Sequence, residues 1–194
     1  MKKVIIVTGG IASGKSYIIK LMSDLGYKTI KSDEIARDIM NEVGFKNQLG
    51  KIIGKNQFDL KEEIEKNEYL LDTIEEIIYP HIDKIRRKFI GECHEKNLIP
   101  VIEIPLFFEK NIEDKLKDYY LIVISTICGK ATQVARVAIR NKNISEKLLN
   151  IIISRQISDT ERVARSNFVI YTLSKKFVVK KQLNKILKAI ECLK

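Results

Sequence analysis

Residues Gly9-Gly10-Ile11-Ala12-Ser13-Gly14-Lys15-Ser16 carry the spacing G-x-x-x-x-G-K-[ST] between an apolar run and a helical pattern. In that context the loop's N–H groups can wrap an anion at a helix N-terminus, so phosphate binding is the chemistry it predicts. Gly9, Gly10 and Gly14 allow close backbone approach. Ile11, Ala12 and Ser13 complete the cradle, Lys15 reaches the β- and γ-phosphates, and the Ser16 hydroxyl can ligate Mg²⁺. A nucleotide with Mg²⁺ is therefore the expected ligand, and the loop alone does not say what is done with it. A GTPase would add D-x-x-G and N-K-x-D; neither occurs, since Asn141-Lys142-Asn143 runs into Ile144.

Phosphoryl transfer also needs a carboxylate at the acceptor hydroxyl and cations over the transferring group. Asp33, in Ser32-Asp33-Glu34, is placed for the first task. Capping the helix that starts near Glu34 is an equal alternative for it. Glu103 lies in an apolar run, where an isolated carboxylate is costly unless paired or near a metal; a position on a solvent-facing edge is the other reading. Arginines concentrate between Cys128 and Ser166, and Arg136 and Arg140, four apart, share a helical face that can reach phosphate oxygens. A solvated basic face is the competing reading. His81 and His94 are too few and too far apart for a metal site or triad, and Tyr69, Tyr79, Phe107 and Phe108 could line a pocket, although scattered aromatics are more often core.

These residues require a scaffold. Val4 to Val7 reads as a strand buried on both faces, and Ile18, Ile19, Met22 and Leu25 trace a helix stopped by Gly26. Tyr27 to Ile30 predicts a second strand, so that Asp33 and the phosphate loop meet at one end of a sheet. Leu71, Ile74 and Ile78 predict a helix ending near Pro80, and Ile82, Ile85, Phe89 and Cys93 a separate one reaching Asn97. Val101 to Ile104 and Tyr119 to Ile124 read as strands, Ser158 with Glu161 as a capping box for a helix over 159–166, and Phe168 to Tyr171 as the last strand. Val178, Leu183, Ile186, Ile190 and Leu193 trace a closing helix. The alternation predicts a three-layer α/β/α domain with a parallel sheet and a ligand crevice at the strands' carboxyl ends.

The 194 residues carry 35 Lys and Arg against 25 Asp and Glu, a net charge of +10 that favours anionic partners. With 45% hydrophobic residues, 9 Gly and 3 Pro, the chain is neither disordered nor linker-dominated. Three widely spaced cysteines argue against disulfide or zinc frameworks and fit a reducing cytoplasm. No apolar run suits a membrane span or a signal peptide.

The order of motifs resembles the dephospho-CoA kinase family over nearly the whole chain. Thr8 to Ser16 matches its phosphate loop, Ser32-Asp33-Glu34-Ile35-Ala36-Arg37 its D-A-D-x-I-A-R, and Ile104-Pro105-Leu106-Phe107-Phe108-Glu109 its P-L-L-F-E. Gln133-x-x-Arg136-x-x-x-Arg140 matches its Q-x-x-R-x-x-x-R, while Arg155-Gln156 and Phe168-Val169-Ile170 fall in its later segments. The resemblance implies a P-loop NTPase fold: a core over about 1–39, 99–127 and 167–194, a helical substrate-binding region over about 40–98, and a lid over about 128–166. It implies transfer of the ATP γ-phosphoryl group to the ribose 3′-hydroxyl of dephospho-CoA, the last step of coenzyme A biosynthesis. Asp33 would be the base, Lys15 and Arg140 would act at the transferring group, and Arg37 and Arg136 would contact substrate phosphates. ATP and dephospho-CoA are then the partners, a cytoplasmic monomer suffices, and neither nucleic acid nor membrane is expected. Against the family pattern, Ala12 replaces a glycine, Lys31 an acid, Tyr79 a histidine, Ser166-Asn167 Ala-Asp, and Thr172 an asparagine. Two alternatives stay open: another small-molecule P-loop kinase, and a basic, nucleotide-regulated nucleic-acid-binding protein.

Overall fold

The computed structural model describes residues 2–141 and 144–192. Lys142 and Asn143, named above in the run before Ile144, and Leu193, assigned to the closing helix, lie outside the described residues. In chain order the elements are β1 (Lys3–Gly9), α1 (Lys15–Asp24), β2 (Thr29–Lys31), α2 (Ser32–Asn41), α3 (Val43–Ile53), α4 (Leu60–Lys66), α5 (Tyr69–Glu95) and β3 (Val101–Glu103). There follow α6 (Ile112–Lys115), β4 (Tyr120–Ile127), α7 (Lys130–Arg140), α8 (Glu146–Ser154), α9 (Asp159–Ala164), β5 (Phe168–Tyr171) and α10 (Lys176–Cys192).

The five strands are parallel in the order β2-β3-β1-β4-β5. β1 is central, so both its faces must be covered, and alternation along the strand sends successive side chains to opposite layers. Ile5 and Val7 pack with Ile18 and Met22 of α1 and Leu183 and Ile190 of α10. Val4 and Ile6 pack with Ile90 of α5 and with Phe107 and Phe108 of the β3–β4 connection. The result is the expected three-layer α/β/α arrangement. A third cluster is wholly helical: Ile35 of α2, Phe45 and Leu49 of α3, Ile64 of α4, Ile74 and Ile78 of α5, and Leu148 of α8.

The strand expectations hold to within a residue or three at their ends, and α1 starts where predicted, with Gly26 in the left-handed region at φ 91°. The break at Pro80 does not occur. Residues 69–95 form one helix because the buried positions Leu70, Ile74, Ile78, Ile82, Arg86 and Ile90 keep one four-residue stripe through the proline. Pro80 and Glu76, whose carbonyl loses the proline's hydrogen bond, are both exposed, so water can satisfy that oxygen. No periodicity in the sequence singled out α3, α4 or α8, although α3 and α4 fall within the helical region over about 40–98 that the resemblance implies.

One ion pair fastens the α9 segment to the core. Arg162 of α9 is fully buried and its Nη2 donates to Glu109 Oε1 at 2.8 Å, an oxygen that also accepts from the Ile157 N–H at 3.1 Å. Breaking a buried pair from one side leaves an uncompensated charge. Glu109→Ala is therefore expected to lower stability by about 3–5 kcal/mol, and a Glu109→Leu, Arg162→Met double variant to recover most of that loss. Urea unfolding of the three proteins checks it; a loss under about 1 kcal/mol in the single variant would show the pair to be dispensable.

Candidate active site

The phosphate loop is the turn from the end of β1 into α1. At Gly9 (φ 149°) a side chain would overlap the Thr126 hydroxyl and carbonyl, and Gly14 adopts φ 103° against Thr172, so neither position tolerates a Cβ cheaply. Neighbouring strands hold the loop from below. The Ser13 hydroxyl bonds Thr126 Oγ1 at 2.6 Å, and Thr126 Oγ1 donates to the Thr8 carbonyl at 3.3 Å. Thr172 Oγ1 donates to the Ser13 carbonyl at 2.5 Å. Arg136 of α7 donates from Nη1 to the Ala12 carbonyl (3.2 Å) and to Thr172 Oγ1 (3.1 Å), and from Nη2 to the Thr172 carbonyl (2.7 Å). From the other side Gln156 Oε1 accepts from the Ile11 N–H at 3.0 Å. No side chain caps the N-terminus of α1, which leaves its amides to an anion.

Lys15 is 8% exposed, and its ammonium folds back onto the Gly9 and Gly10 carbonyls at 2.9 and 3.0 Å. Burial holds its pKa below the ordinary lysine value, opposed by the charges of Glu103 and Asp33. Glu103, at the end of β3, is 3% exposed, and its Oε2 has no hydrogen-bond partner. Burial pushes its pKa up, and Lys15 pulls it back. The solvent-edge reading of Glu103 thus fails, because β3 lies between β1 and β2.

A cavity of about 740 Å³ opens at the carboxyl ends of the strands. Its wall includes the loop from Ile11 to Ser16, Asp33, Glu103, Arg136 and Arg140. Gly9 and Gly10 lie buried beneath it and supply the carbonyls that hold Lys15. Ser16 is exposed to it and has no hydrogen-bond partner among the described residues. Asp33 is not a cap: Lys31 occupies the N-cap position of α2, and Asp33 stands exposed in the first turn with no hydrogen bond among the described residues. Arg140, the last residue of α7, is exposed and likewise uncommitted. Arg37 is not brought to the cavity; its side chain is 65% exposed and lies 3.9 Å from Asp38.

Several wall residues escaped the sequence reading. Of the aromatics open to either a pocket or the core, Tyr79 lines the cavity, Phe107 and Phe108 are core, and Tyr69 is exposed. Glu75 and Lys110 pair at 2.5 Å, and Arg155 reaches Asp72 at 2.5 Å and Glu75 at 3.0 Å, joining α8 to α5. Arg86, fully buried on α5, is also part of the wall. No group of three or more metal-ligating side chains occurs among the described residues.

A central phosphate loop in a five-stranded parallel sheet, with a carboxylate and arginines around one cavity, defines a P-loop kinase. The family model of dephospho-CoA kinase matches residues 3–175, so the chain belongs to the dephospho-CoA kinase family, ATP-dependent phosphotransferases of coenzyme A biosynthesis. The dephospho-CoA kinase of Fusobacterium nucleatum subsp. nucleatum is 35% identical over 175 residues, covering 84% of this chain and 86% of that protein. That of Staphylococcus epidermidis is 27% identical, covering 96% and 95%. Among solved structures, a dephospho-CoA kinase from Campylobacter jejuni shares the fold with a TM-score of 0.68 at 24% identity, covering 98% of each chain. TT1252 from Thermus thermophilus does so with a TM-score of 0.74 at 22% identity, covering 97% and 98%.

Two outcomes follow from this geometry. Ala12 sits at φ 53°, so Ala12→Gly is expected to raise stability by about 0.5–1 kcal/mol in urea unfolding, and no gain would show the turn to be unstrained. For Glu103 the folded-state pKa lies above the unfolded one, so the folded protein binds this proton more tightly. Stability then falls as pH rises from the ordinary carboxylate value through the raised one. Relative to Glu103→Gln, the wild type should lose stability across that window; parallel pH profiles would refute the assignment.

Proposed function

We propose that the cavity performs the transfer of the ATP γ-phosphoryl group to the ribose 3′-hydroxyl of dephospho-CoA, giving coenzyme A and ADP. The observation that carries this reading is the shared cavity: the uncapped loop with Lys15 and Ser16, the uncommitted carboxylate of Asp33, and the uncommitted guanidinium of Arg140. Asp33 accepts the proton of the 3′-hydroxyl as that oxygen bonds to the γ-phosphorus. The bond from phosphorus to the β–γ bridging oxygen breaks, ADP leaves with that electron pair, and Asp33 later gives its proton to water.

Lys15 exchanges the Gly9 and Gly10 carbonyls for phosphate oxygens, and the loop amides hold the β-phosphate. Arg140 closes over the charge that spreads on the transferring group. Arg136 fastens the loop to the turn after β5, and Arg37 has no part in this cavity. The free Ser16 hydroxyl and the unpartnered oxygen of Glu103 are the groups that would hold a Mg²⁺, hard oxygen donors of the kind that ion takes. Bound with ATP, it would neutralise phosphate charge.

In this reading the helices over about 40–98 receive the acceptor, and the segment over about 128–166 closes as a lid that keeps water from the γ-phosphate. One chain supplies every residue named, so a monomer suffices. Its partners are ATP and dephospho-CoA, with no part for nucleic acid or membrane lipid. Three unpaired cysteines favour the cytoplasm.

Mass spectrometry of products from Mg-ATP with dephospho-CoA, AMP, a nucleoside panel or no acceptor tests the reading. Only dephospho-CoA should gain a phosphoryl group, and Asp33→Asn should cut turnover by roughly 10²–10⁴ with ATP affinity kept. A different acceptor overturns the substrate, and unchanged Asp33→Asn turnover overturns the base.

A further inference from the structure

Arg86 occupies a core-facing position of α5, between Ile82 and Ile90 in the buried stripe, and is 2% exposed. A guanidinium in such a place needs partners for its N–H groups. Its Nη2 donates to Asp83 Oδ1 at 2.5 Å, but Nε and Nη1 have no partner. Asp83 also pairs with Lys115, at 3.5 Å through Oδ2, so the three residues carry a net charge of +1.

Arg86 belongs to the wall of the same cavity as the phosphate loop and Asp33. Of the other arginines and lysines there, Arg155 is engaged with Asp72 and Glu75, Lys110 with Glu75 and Arg136 with the loop, and Arg140 is uncommitted but exposed. Arg86 is the buried guanidinium of the wall with unpartnered N–H groups, at Nε and Nη1. Tyr79, two turns earlier on α5, lines the same cavity, and burial raises the pKa of its phenol.

We infer that Arg86 binds the diphosphate of the acceptor, the anionic link between the adenosine 5′-carbon and the pantetheine arm, and so sets acceptor preference. The inference rests on the proposed function. With the 3′-oxygen at Asp33, the diphosphate on the same ribose must be received elsewhere in the same cavity, and Arg86 and Tyr79 of α5 line it. Apolar neighbours there, Ile82, Ile104 and Leu106, exclude water and strengthen charge-assisted hydrogen bonds from Nε and Nη1. Arg86 contacts no reacting atom. Adenosine presents the same 3′-hydroxyl without the diphosphate, and it separates the two parts of recognition.

The test compares dephospho-CoA and adenosine as acceptors for the wild type, Arg86→Met and Arg86→Lys. Arg86→Met should raise the KM for dephospho-CoA, and its loss of kcat/KM toward dephospho-CoA should exceed that toward adenosine by roughly tenfold or more, with Arg86→Lys between. The KM for ATP should stay within about twofold, which a misplaced α5 would not allow. Equal losses toward both acceptors, or a retained preference, overturn the inference while leaving the proposed function standing. A wild type that phosphorylates no dephospho-CoA instead removes the proposed function. Should the variants fail to fold, the Nε–H resonance of Arg86 in the wild type decides: it should shift on adding dephospho-CoA and not on adding adenosine, and the same response to both overturns the assignment.

Discussion

The ammonium of Lys15, taken almost wholly out of water, is the constraint to which the rest of the site answers. A buried charge of this kind survives only where carbonyls or opposite charges replace its hydration. Here the Gly9 and Gly10 carbonyls take its protons, and Glu103 and Asp33 supply the opposing field. Each compensator fixes part of the fold. Glu103 must end the strand beside β1, with Val7 and Glu103 in register, and Asp33 must open the helix that follows β2. A parallel sheet with β1 at its centre meets both conditions, because all its strands finish on one edge.

The loop around that lysine is held by groups that occupy its underside and leave its amide face for a ligand. Thr126 and Thr172 come from the ends of β4 and β5, Arg136 from α7 and Gln156 from the segment after α8. The contacts that the segment over 128–166 makes with the loop thus reach its backbone, from Cys128 and Arg136 at Ala12 and from Gln156 at Ile11. Displacing those side chains would disturb the shape of the loop.

The strand-loop-helix start was legible in the sequence because its signals are local: an unbroken β-branched run, glycines at fixed spacing, and a helical stripe ended by Gly26. Asp33 and Arg140 were legible as types at positions, though only the sheet order shows that they share a cavity. Pro80 misled because a local rule about proline competes with a tertiary one about the stripe. The stripe prevailed where the lost hydrogen bond faces water. Arg86 and Arg162 were illegible for the converse reason: an arginine in an amphipathic helix reads as surface. Their burial depends on Asp83, only three residues from Arg86, and on Glu109, which no spacing rule links to Arg162. Helices α3, α4 and α8 bury little individually and gain their stability from one another, so none stands out alone.

The departures from the family pattern sort by location. On the nucleotide side they keep or add contacts. Asn167 Oδ1 accepts from the Val123 N–H at 2.8 Å, as a carboxylate oxygen would, and Ser166 donates to the Arg162 carbonyl while bonding Ser125. Thr172 donates to the loop and accepts from Arg136. Beside Asp33 and along α5 the departures change charge and shape. Lys31 stands in register with Glu103 and pairs with Glu34 at 2.8 Å, so where an acid would have added a third carboxylate beside Asp33 and Glu103 the local field becomes more positive. That field draws Glu103 back toward its ionised form. Tyr79 widens the same wall with an aromatic ring that has Lys110 and Lys115 each 5.8 Å from its centre.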